Sequence, residues 1–219
     1  MGNDTKAGVT VGSLVKGAIR DVADIFLKDR ALFIASNVFI FGLFALGVVV
    51  GFAYPAAHDA AGNLFEGTLT SGPLTPVTQT LETGNIPLTA LSIFAWNYLV
   101  ATIVLSSIPS LIFPPWMPLK FGLSAFMMGL FAAHDYTPAH LSIMLGTLLL
   151  EFEGYAIAIF ATMRQVEALV WPGRFGEKSV ILAYVRSIID NVKLLIVAGI
   201  VLAIAATFEA AAIILVSTR

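Results

Sequence analysis

The chain has 219 residues, of which 58% are hydrophobic and 12% are charged, and its mean hydropathy is +0.90. Soluble domains carry about 25% charged residues, so this chain has too little polar surface to cover a water-facing globule. The net charge of −2 provides no basic face for nucleic acid. The chain has no cysteine, which excludes disulfides and thiolate chemistry. We therefore expect an all-α, polytopic membrane helical bundle that forms one domain over residues 1–219.

Five apolar segments are predicted to enter the membrane, because about 20 apolar residues cross the hydrocarbon as a helix. They are residues 31–53, 89–113, 119–133, 140–163 and 193–216. The third segment covers only roughly 22 Å at about 1.5 Å per residue. It therefore either crosses a thin membrane or is half-inserted and screened by its neighbours. Pro114, Pro115 and Pro118 come just before it and predict a rigid break at the interface.

The segments between the predicted spans differ in character. Residues 12–29 have the apolar period of an amphipathic helix, which lies either along the membrane interface or against the protein's own cytoplasmic face. Residues 54–88 are rich in Gly, Pro, Thr and Asn and predict a solvated external loop, with partial folding over the bundle as the alternative. Residues 164–192 predict a cytoplasmic connector that contains a second amphipathic helix.

The positive charges are distributed unevenly between alternate polar segments. Eleven of the twelve Lys and Arg residues precede the first span, fall between spans four and five, or stand within the first two positions of spans three and five, and only Arg219 lies on the other side. Cytoplasmic loops carry the excess of Lys and Arg. The pattern predicts a multi-pass protein of the cytoplasmic membrane with its N-terminus inside and its C-terminus outside. A re-entrant third segment would break this alternation.

Three acids stand inside the apolar segments, namely Glu151, Glu153 and Glu209, and the amide of Asn97 is grouped with them. An acid at the centre of a membrane helix costs about 2.5–3.5 kcal/mol, so these side chains need a physical reason to be there. We expect a buried polar cluster that fixes the bundle, and an ion or proton relay is the alternative. Glu151 and Glu153 are about 200° apart around a helix. Glu209 is predicted nearer the outside than Glu151, so direct contact would need helix tilt or a bridging water.

Small residues on two predicted spans indicate close helix contacts. Gly47 and Gly51 form a small-xxx-small pair in the first span. The last span has a stripe of small residues: Gly199, Ala203, Ala206 and Ala210. Packing within the chain is the expected role of this stripe, and a seam between two copies is the alternative.

No catalytic constellation is present in the sequence. It contains no phosphate-binding glycine loop, no GxSxG and no HExxH. His134 and His140 with Asp135 could offer metal ligands, but the intervening Pro138 gives no helical ligand spacing. We therefore predict no metal, no cofactor and no enzymatic activity.

Three stretches carry a family resemblance: residues 94–101 (FAWNYLVA), 149–158 (LLEFEGYAIA) and 202–210 (LAIAATFEA). They resemble the stage II sporulation protein M family, small multi-span membrane proteins of prokaryotes, and Asn97, Glu151 and Glu209 stand at its motif positions. The family's His-Gly before the first glutamate is replaced here by Thr147 and Leu148. The resemblance implies five spans in a prokaryotic membrane. It also implies work as a scaffold, as in the bacterial members that recruit cell-wall hydrolases.

Taken together, the sequence predicts a non-enzymatic membrane scaffold or subunit of a larger complex. Its partners would be the lipid bilayer and other membrane proteins or a second copy of the chain. A transporter or channel component that uses Glu151 and Glu153 as a relay is the rival hypothesis, and an intramembrane enzyme is ranked last.

Overall fold

The computed structural model describes residues 11–133 and 138–217 of the chain. Within these ranges the chain is helical and contains no strand, which confirms the predicted all-α class. The helices are Val11–Lys28 (α1), Arg30–Ala53 (α2), Pro55–Thr70 (α3), Thr75–Glu82 (α4), Ile86–Phe94 (α5), Ile108–Ser110 (α6), Trp116–Phe131 (α7), Pro138–Val170 (α8) and Val180–Ser217 (α9). A π-helix, Ala95–Ser107, joins α5 to α6, and a short 3-10 helix, Pro172–Phe175, follows α8.

Four helices are long and apolar enough to cross a membrane: Arg30–Ala53, Ile86–Ser110, Leu145–Val170 and Val180–Leu215. They coincide with four of the five predicted spans. The remaining predicted span corresponds to α7, which has 16 residues and a length of about 24 Å. This is shorter than the hydrocarbon thickness of about 30 Å. The four long apolar helices support a polytopic membrane bundle.

Helix α8 forms the centre of the bundle. Its membrane-length portion is 72% buried inside the protein, against 17% for Arg30–Ala53. It packs most extensively against α9 and also contacts α2 and α7. Aromatic rings fill these interfaces: Phe152 meets Phe41 and Phe44 at 5.5 Å, and Tyr155 stacks on Phe121 at 4.4 Å. Any polar side chain on the buried faces of α8 is therefore kept from lipid by other helices.

Helices α2 and α7 approach each other backbone to backbone. A Cβ atom added to Gly47 would overlap the carbonyl oxygen of Phe126, and one added to Gly129 would overlap that of Phe44. A Cβ at Gly51 would come within 2.6 Å of Ala133 Cβ. The small-xxx-small pair of the first span thus faces α7, and Gly129 completes the contact from the other side.

The segment 54–88 was predicted as a solvated external loop, with partial folding over the bundle as the alternative. It is helical, and the alternative describes it better. It holds α3, α4 and the start of α5, and α3 packs against α7. Prolines stand at the first or second position of each of these helices: Pro55, Pro76 and Pro87. An amide hydrogen at these positions has no partner within the helix, so proline is tolerated there. In this segment, residues that are typical of loops therefore stand at the beginning of helices. Asn85 caps α5 by accepting a hydrogen bond from the Leu88 amide at 3.1 Å.

The segment 164–192, predicted as a cytoplasmic connector, also differs from the prediction. Helix α8 continues to Val170, and the amphipathic stretch and the last span form one unbroken helix, α9, of 38 residues. At about 1.5 Å per residue α9 is roughly 57 Å long, well beyond the hydrocarbon thickness. The second amphipathic helix is therefore an extension of a membrane helix rather than a separate element.

Helix α1 packs partly on the protein itself. Ile25 is buried, and the Phe26 ring stacks on Phe160 of α8 at 5.4 Å. Ile19 and Leu27 remain exposed. The second half of α1 is thus held against the bundle, while part of its apolar surface is left for the membrane interface.

The small residues of the last span mostly face other helices of the same chain. Ala206 and Ala210 are buried against Ile93 of α5, and the Tyr98 ring lies over Gly199. Ala203 is half-buried and lines a shallow groove on the outer surface of α9.

Candidate functional site

The intramembrane polar side chains meet where three helices come together. Asn97 stands in the first turn of the π-helix, Glu151 on α8 and Glu209 on α9. The Asn97 side-chain amide donates a short hydrogen bond to Glu151 Oε1. Glu151 is buried. One bond thus links the π-helix to the central helix of the bundle.

Glu209 lies beside Glu151 across the α8–α9 interface. The predicted difference in depth therefore does not keep them apart, and no bridging water is needed. Close packing brings the helices together here: the Gly154 backbone lies against Leu202, and Gly146 lies against the Phe208 ring. We call Asn97, Glu151 and Glu209 the polar cluster.

Glu209 Oε2 is buried, and no donor from the described chain reaches it. An ionised carboxyl group only accepts hydrogen bonds, so two neighbouring carboxyl groups bond to each other only when one of them carries a proton.

Glu153 does not belong to the polar cluster. It is half-buried and lies about 200° around α8 from Glu151. Its place in an apolar segment groups it with the other acids. The helical period, however, directs its side chain away from Asn97 and Glu209, so Glu153 is a suitable control for experiments on Glu151.

The π-helix shapes the side of the cluster that carries Asn97. Its hydroxyl side chains bond to carbonyl groups five residues earlier: Thr102 to Asn97 at 2.7 Å and Ser107 to Thr102 at 2.8 Å. Lys120 of α7 donates to Ala101 O at 2.9 Å and to Ser106 Oγ at 3.0 Å. π-Helical turns are rare and occur frequently at functional sites. Side chains from the π-helix itself and from α7 thus stabilise its wide turns.

Tyr98 ties the π-helix to α9. Its hydroxyl donates to Leu195 O at 3.0 Å, and its ring covers Gly199. Adjacent residues therefore reach different helices, since Asn97 bonds to α8 and Tyr98 bonds to α9. Neither this contact nor the contacts of Lys120 follow from the sequence pattern. The signal that it offers is the recurrence of polar residues every four or five positions between Asn97 and Ser110.

A second polar site lies at the end of the bundle where α1 meets α2, α8 and α9. Arg164 is 3% exposed and pairs with Asp29 and, at 2.7 Å, with Asp190. Arg174 pairs with Asp29 at 3.1 Å and with Glu167 at 2.5 Å. We call this end, with its Lys and Arg residues, the basic end of the bundle. Its ion pairs join segments that are far apart in sequence, so no local sequence pattern predicts them.

The histidines give no metal centre within residues 11–133 and 138–217, where no group of three metal-ligating side chains is found. His134 and Asp135 lie outside the described residues, as does the side chain of His140. His58 Nδ1 lies 3.0 Å from the Leu130 carbonyl oxygen, at the C-terminal end of α7.

No family model, curated protein or solved structure matches this chain. The fold and the geometry of the polar cluster therefore carry the functional argument.

Proposed function

We propose that this protein is a non-enzymatic integral membrane subunit or scaffold of a larger membrane complex. The polar cluster is the observation that carries the proposal. Its three side chains come from three different helices, and their polar groups are directed at one another. Interhelical hydrogen bonds of this kind hold membrane bundles together, since hydrocarbon offers no other partner for them. Two of the three costly acids, Glu151 and Glu209, are thus accounted for by helix packing.

The basic end of the bundle offers a surface for a partner. The first turns of α9 extend beyond the length that hydrocarbon can cover. They carry exposed apolar side chains: Ile181, Leu182, Val185 and Ile189. Exposed apolar surface outside a membrane marks binding sites for proteins or for the lipid interface. This surface supports the subunit role.

We place the basic end on the cytoplasmic side of the membrane, with five spans, because the sequence segments expected on that side contain eleven of the twelve Lys and Arg residues. The family resemblance alone supports a prokaryotic membrane. The chain has no cysteine, so single cysteines can be introduced at will. A membrane-impermeant thiol reagent added outside intact cells should label Ser217→Cys but not Gly12→Cys. Labelling of Gly12→Cys from outside would contradict this orientation.

The subunit role is tested by purifying the full chain from its native membrane in mild detergent and measuring its native mass. We expect a second protein at a fixed stoichiometry. A monomer that lacks a partner and conducts protons in liposomes would contradict the proposal, particularly if Glu151→Gln stops the flux. Glu153→Gln is the matched control, because its side chain lies outside the polar cluster.

The rival function, an ion or proton relay, has one observation in its favour. The contact of Glu151 with Glu209 gives a site that can gain and lose a proton, as relays in membrane proteins do. Glu153, the second relay residue expected from the sequence, is directed away from this site, so a relay would pass through Glu209 instead.

A further inference from the structure

We propose that the partner subunit inserts one transmembrane helix into a lipid-facing groove beside α8 and pairs a lysine or arginine of that helix with Glu153. This inference rests on the proposed role as a subunit of a membrane complex. It deepens that role, because it assigns the face on which the partner binds within the membrane and the charge that the partner carries there.

Glu153 is the intramembrane acid that helix packing within the chain leaves unexplained. It stands about 12 Å inside the membrane-length helix Leu145–Val170, measured along the axis from Leu145. Its side chain is partly exposed. No hydrogen bond or ion pair joins it to any part of the chain that the structure describes. Glu153 therefore lacks the kind of partner that Glu151 has in Asn97.

One strip of α8 changes from buried to exposed at Glu153. Residues four positions apart share a face of a helix, so this strip contains Leu145, Leu149, Glu153 and Ile157. Ile157 is 4% exposed and belongs to a buried cluster with side chains of α1, α2 and α9. Leu149 and Leu145, by contrast, are 58% and 41% exposed. Glu153 thus stands where the covering helices leave the strip open toward lipid.

The open strip forms the floor of a groove between α2 and α9. On one side, the Phe41 ring of α2 meets the Phe152 ring at 5.5 Å. On the other side, a Cβ added to Gly146 would lie 3.1 Å from the Phe208 ring of α9. At about 100° per residue, Phe152 and Gly146 are about 120° apart around α8 with the strip between them. An arc of this width on the central helix suits contact with one further helix. We call this groove, with its floor of Leu145, Leu149 and Glu153, the lateral groove.

The chemistry of Glu153 defines the helix that fills the lateral groove. Lipid tails cover the leucines of the floor equally well, but they offer a carboxyl group no donor and no opposite charge. The short side chain of a glutamate cannot reach the membrane surface from this depth, as a long basic side chain near a helix end does. Asn37 of α2 is bonded within its own helix, where it donates to Phe33 O at 3.2 Å.

A lysine or arginine of the partner supplies what this carboxylate lacks. Each of these side chains brings several N–H donors together with a positive charge. Charged residues inside a membrane are costly alone and are typically paired with one another. The unpaired acid on this chain is therefore complementary to a basic residue near the middle of the partner's helix, and pairing removes both costs when the complex forms.

Site-specific photocrosslinking in the native membrane tests the lateral groove. A benzophenone amino acid in place of Leu149 should crosslink to a transmembrane peptide of the partner that contains a lysine or arginine, as mass spectrometry of the joined peptides shows. The same group in place of Leu123 is the matched control. Leu123 is 64% exposed on α7, outside the lateral groove, and should crosslink to lipid. Crosslinks from position 149 to lipid alone, to a second copy of this chain, or to a helix without a basic residue would overturn the proposal.

Charge substitutions test the ion pair itself. Glu153→Gln keeps the shape of the side chain and should lower the yield of the crosslink from position 149 at least about tenfold. The isolated chain should keep its midpoint of thermal unfolding within about 2 °C, because Glu153 makes no bond within it. Glu82→Gln, at an exposed position of α4, is the matched control and should leave the crosslink yield unchanged.

An exchange of charges makes this test specific. Glu153→Lys should abolish the crosslink, and replacement of the partner's basic residue by glutamate should then restore it. An equal crosslink yield for Glu153→Gln and Glu82→Gln would overturn the ion pair, as would failure of the exchanged charges to restore the yield.

Purification and crosslinking together separate the subunit role from this binding site. If the full chain purifies without a second protein, the subunit role itself fails. If a partner co-purifies at a fixed stoichiometry but crosslinks only to the exposed apolar side chains of α9 at the basic end, the subunit role stands and the lateral groove is not the binding site.

Discussion

Replacing Gly47 with leucine should destabilise the protein by at least about 3 kcal/mol, a large cost even for an overpacked core. The first atom of the new side chain would overlap the Phe126 carbonyl oxygen. That atom belongs to the backbone and cannot rotate away, so α2 and α7 would have to separate. Separation would also loosen the contact of Gly129 with α2. The expected result is a much lower midpoint of thermal unfolding in detergent or nanodiscs.

Gly42→Leu is the control for this prediction. Gly42 lies on the same helix, is exposed, and has no atom within 4 Å of an added Cβ. An apolar side chain there faces lipid, so we expect stability within about 0.5 kcal/mol of the unmodified protein. Equal stability of the Gly47 and Gly42 variants would show that α2 and α7 are not in close contact.

Replacing Arg164 with methionine should cost about 3–5 kcal/mol, the range observed when one partner of a buried ion pair is removed. The change leaves Asp29 and Asp190 without their shared cation. Asp29 is 4% exposed, and Arg174, itself half exposed, remains its only cation among the described ion pairs. The loss should be nearly independent of salt concentration, because buried charges are screened little.

Two further variants make this prediction specific. Arg164→Lys should recover only part of the stability, because an ammonium group cannot reproduce the planar fork that reaches Asp29 and Asp190 together. Arg186→Met removes an exposed cation 3.7 Å from Glu177 and should cost at most about 1 kcal/mol. A comparable loss for Arg164→Met and Arg186→Met would contradict the structural role of the buried network.

The helical class and the cluster residues were accessible from the sequence because each leaves a local signal. Long apolar runs predict membrane helices, and an acid in such a run is costly enough to be conspicuous. Glu151 and Glu209 were identified on this basis, and Asn97 from the family resemblance. That Glu151 and Glu209 lie side by side could not be deduced, because their relative depth depends on how α8 and α9 cross. The helical period places the half-buried Glu153 on another side of α8 from Glu151.

The segment 54–88 shows why composition misleads at helix starts. A segment that contains several prolines is usually predicted to be a loop. Here, however, Pro55, Pro76 and Pro87 all stand where a helix begins. The amide hydrogen of any other residue at these positions would lack a helical partner, so proline, which has no amide hydrogen, is tolerated there. A proline followed by one or more helical turns is compatible with both a loop and a helix. Only tertiary contacts decide between them, such as those of α3 with α7 and of α5 with α9.

The π-helix and the ion network were beyond sequence analysis for a different reason. Both depend on contacts between distant residues. Arg164 and Asp29 are 135 positions apart, and Lys120 reaches the π-helix from another element. The helical period gives no information about such contacts. A charged residue near the end of a span is equally consistent with a solvated cytoplasmic side chain.

The central claim is that the polar cluster ties the bundle together, and a double-mutant cycle between Asn97 and Glu151 tests it most directly. Asn97→Leu and Glu151→Leu each orphan a buried polar group and should cost about 1–3 kcal/mol. The double variant removes both partners of the bond, so its cost should fall short of the sum by about 1 kcal/mol or more, toward the upper end of values for membrane helices. Costs that add to within about 0.5 kcal/mol would show that the two side chains do not stabilise each other, and would contradict the account.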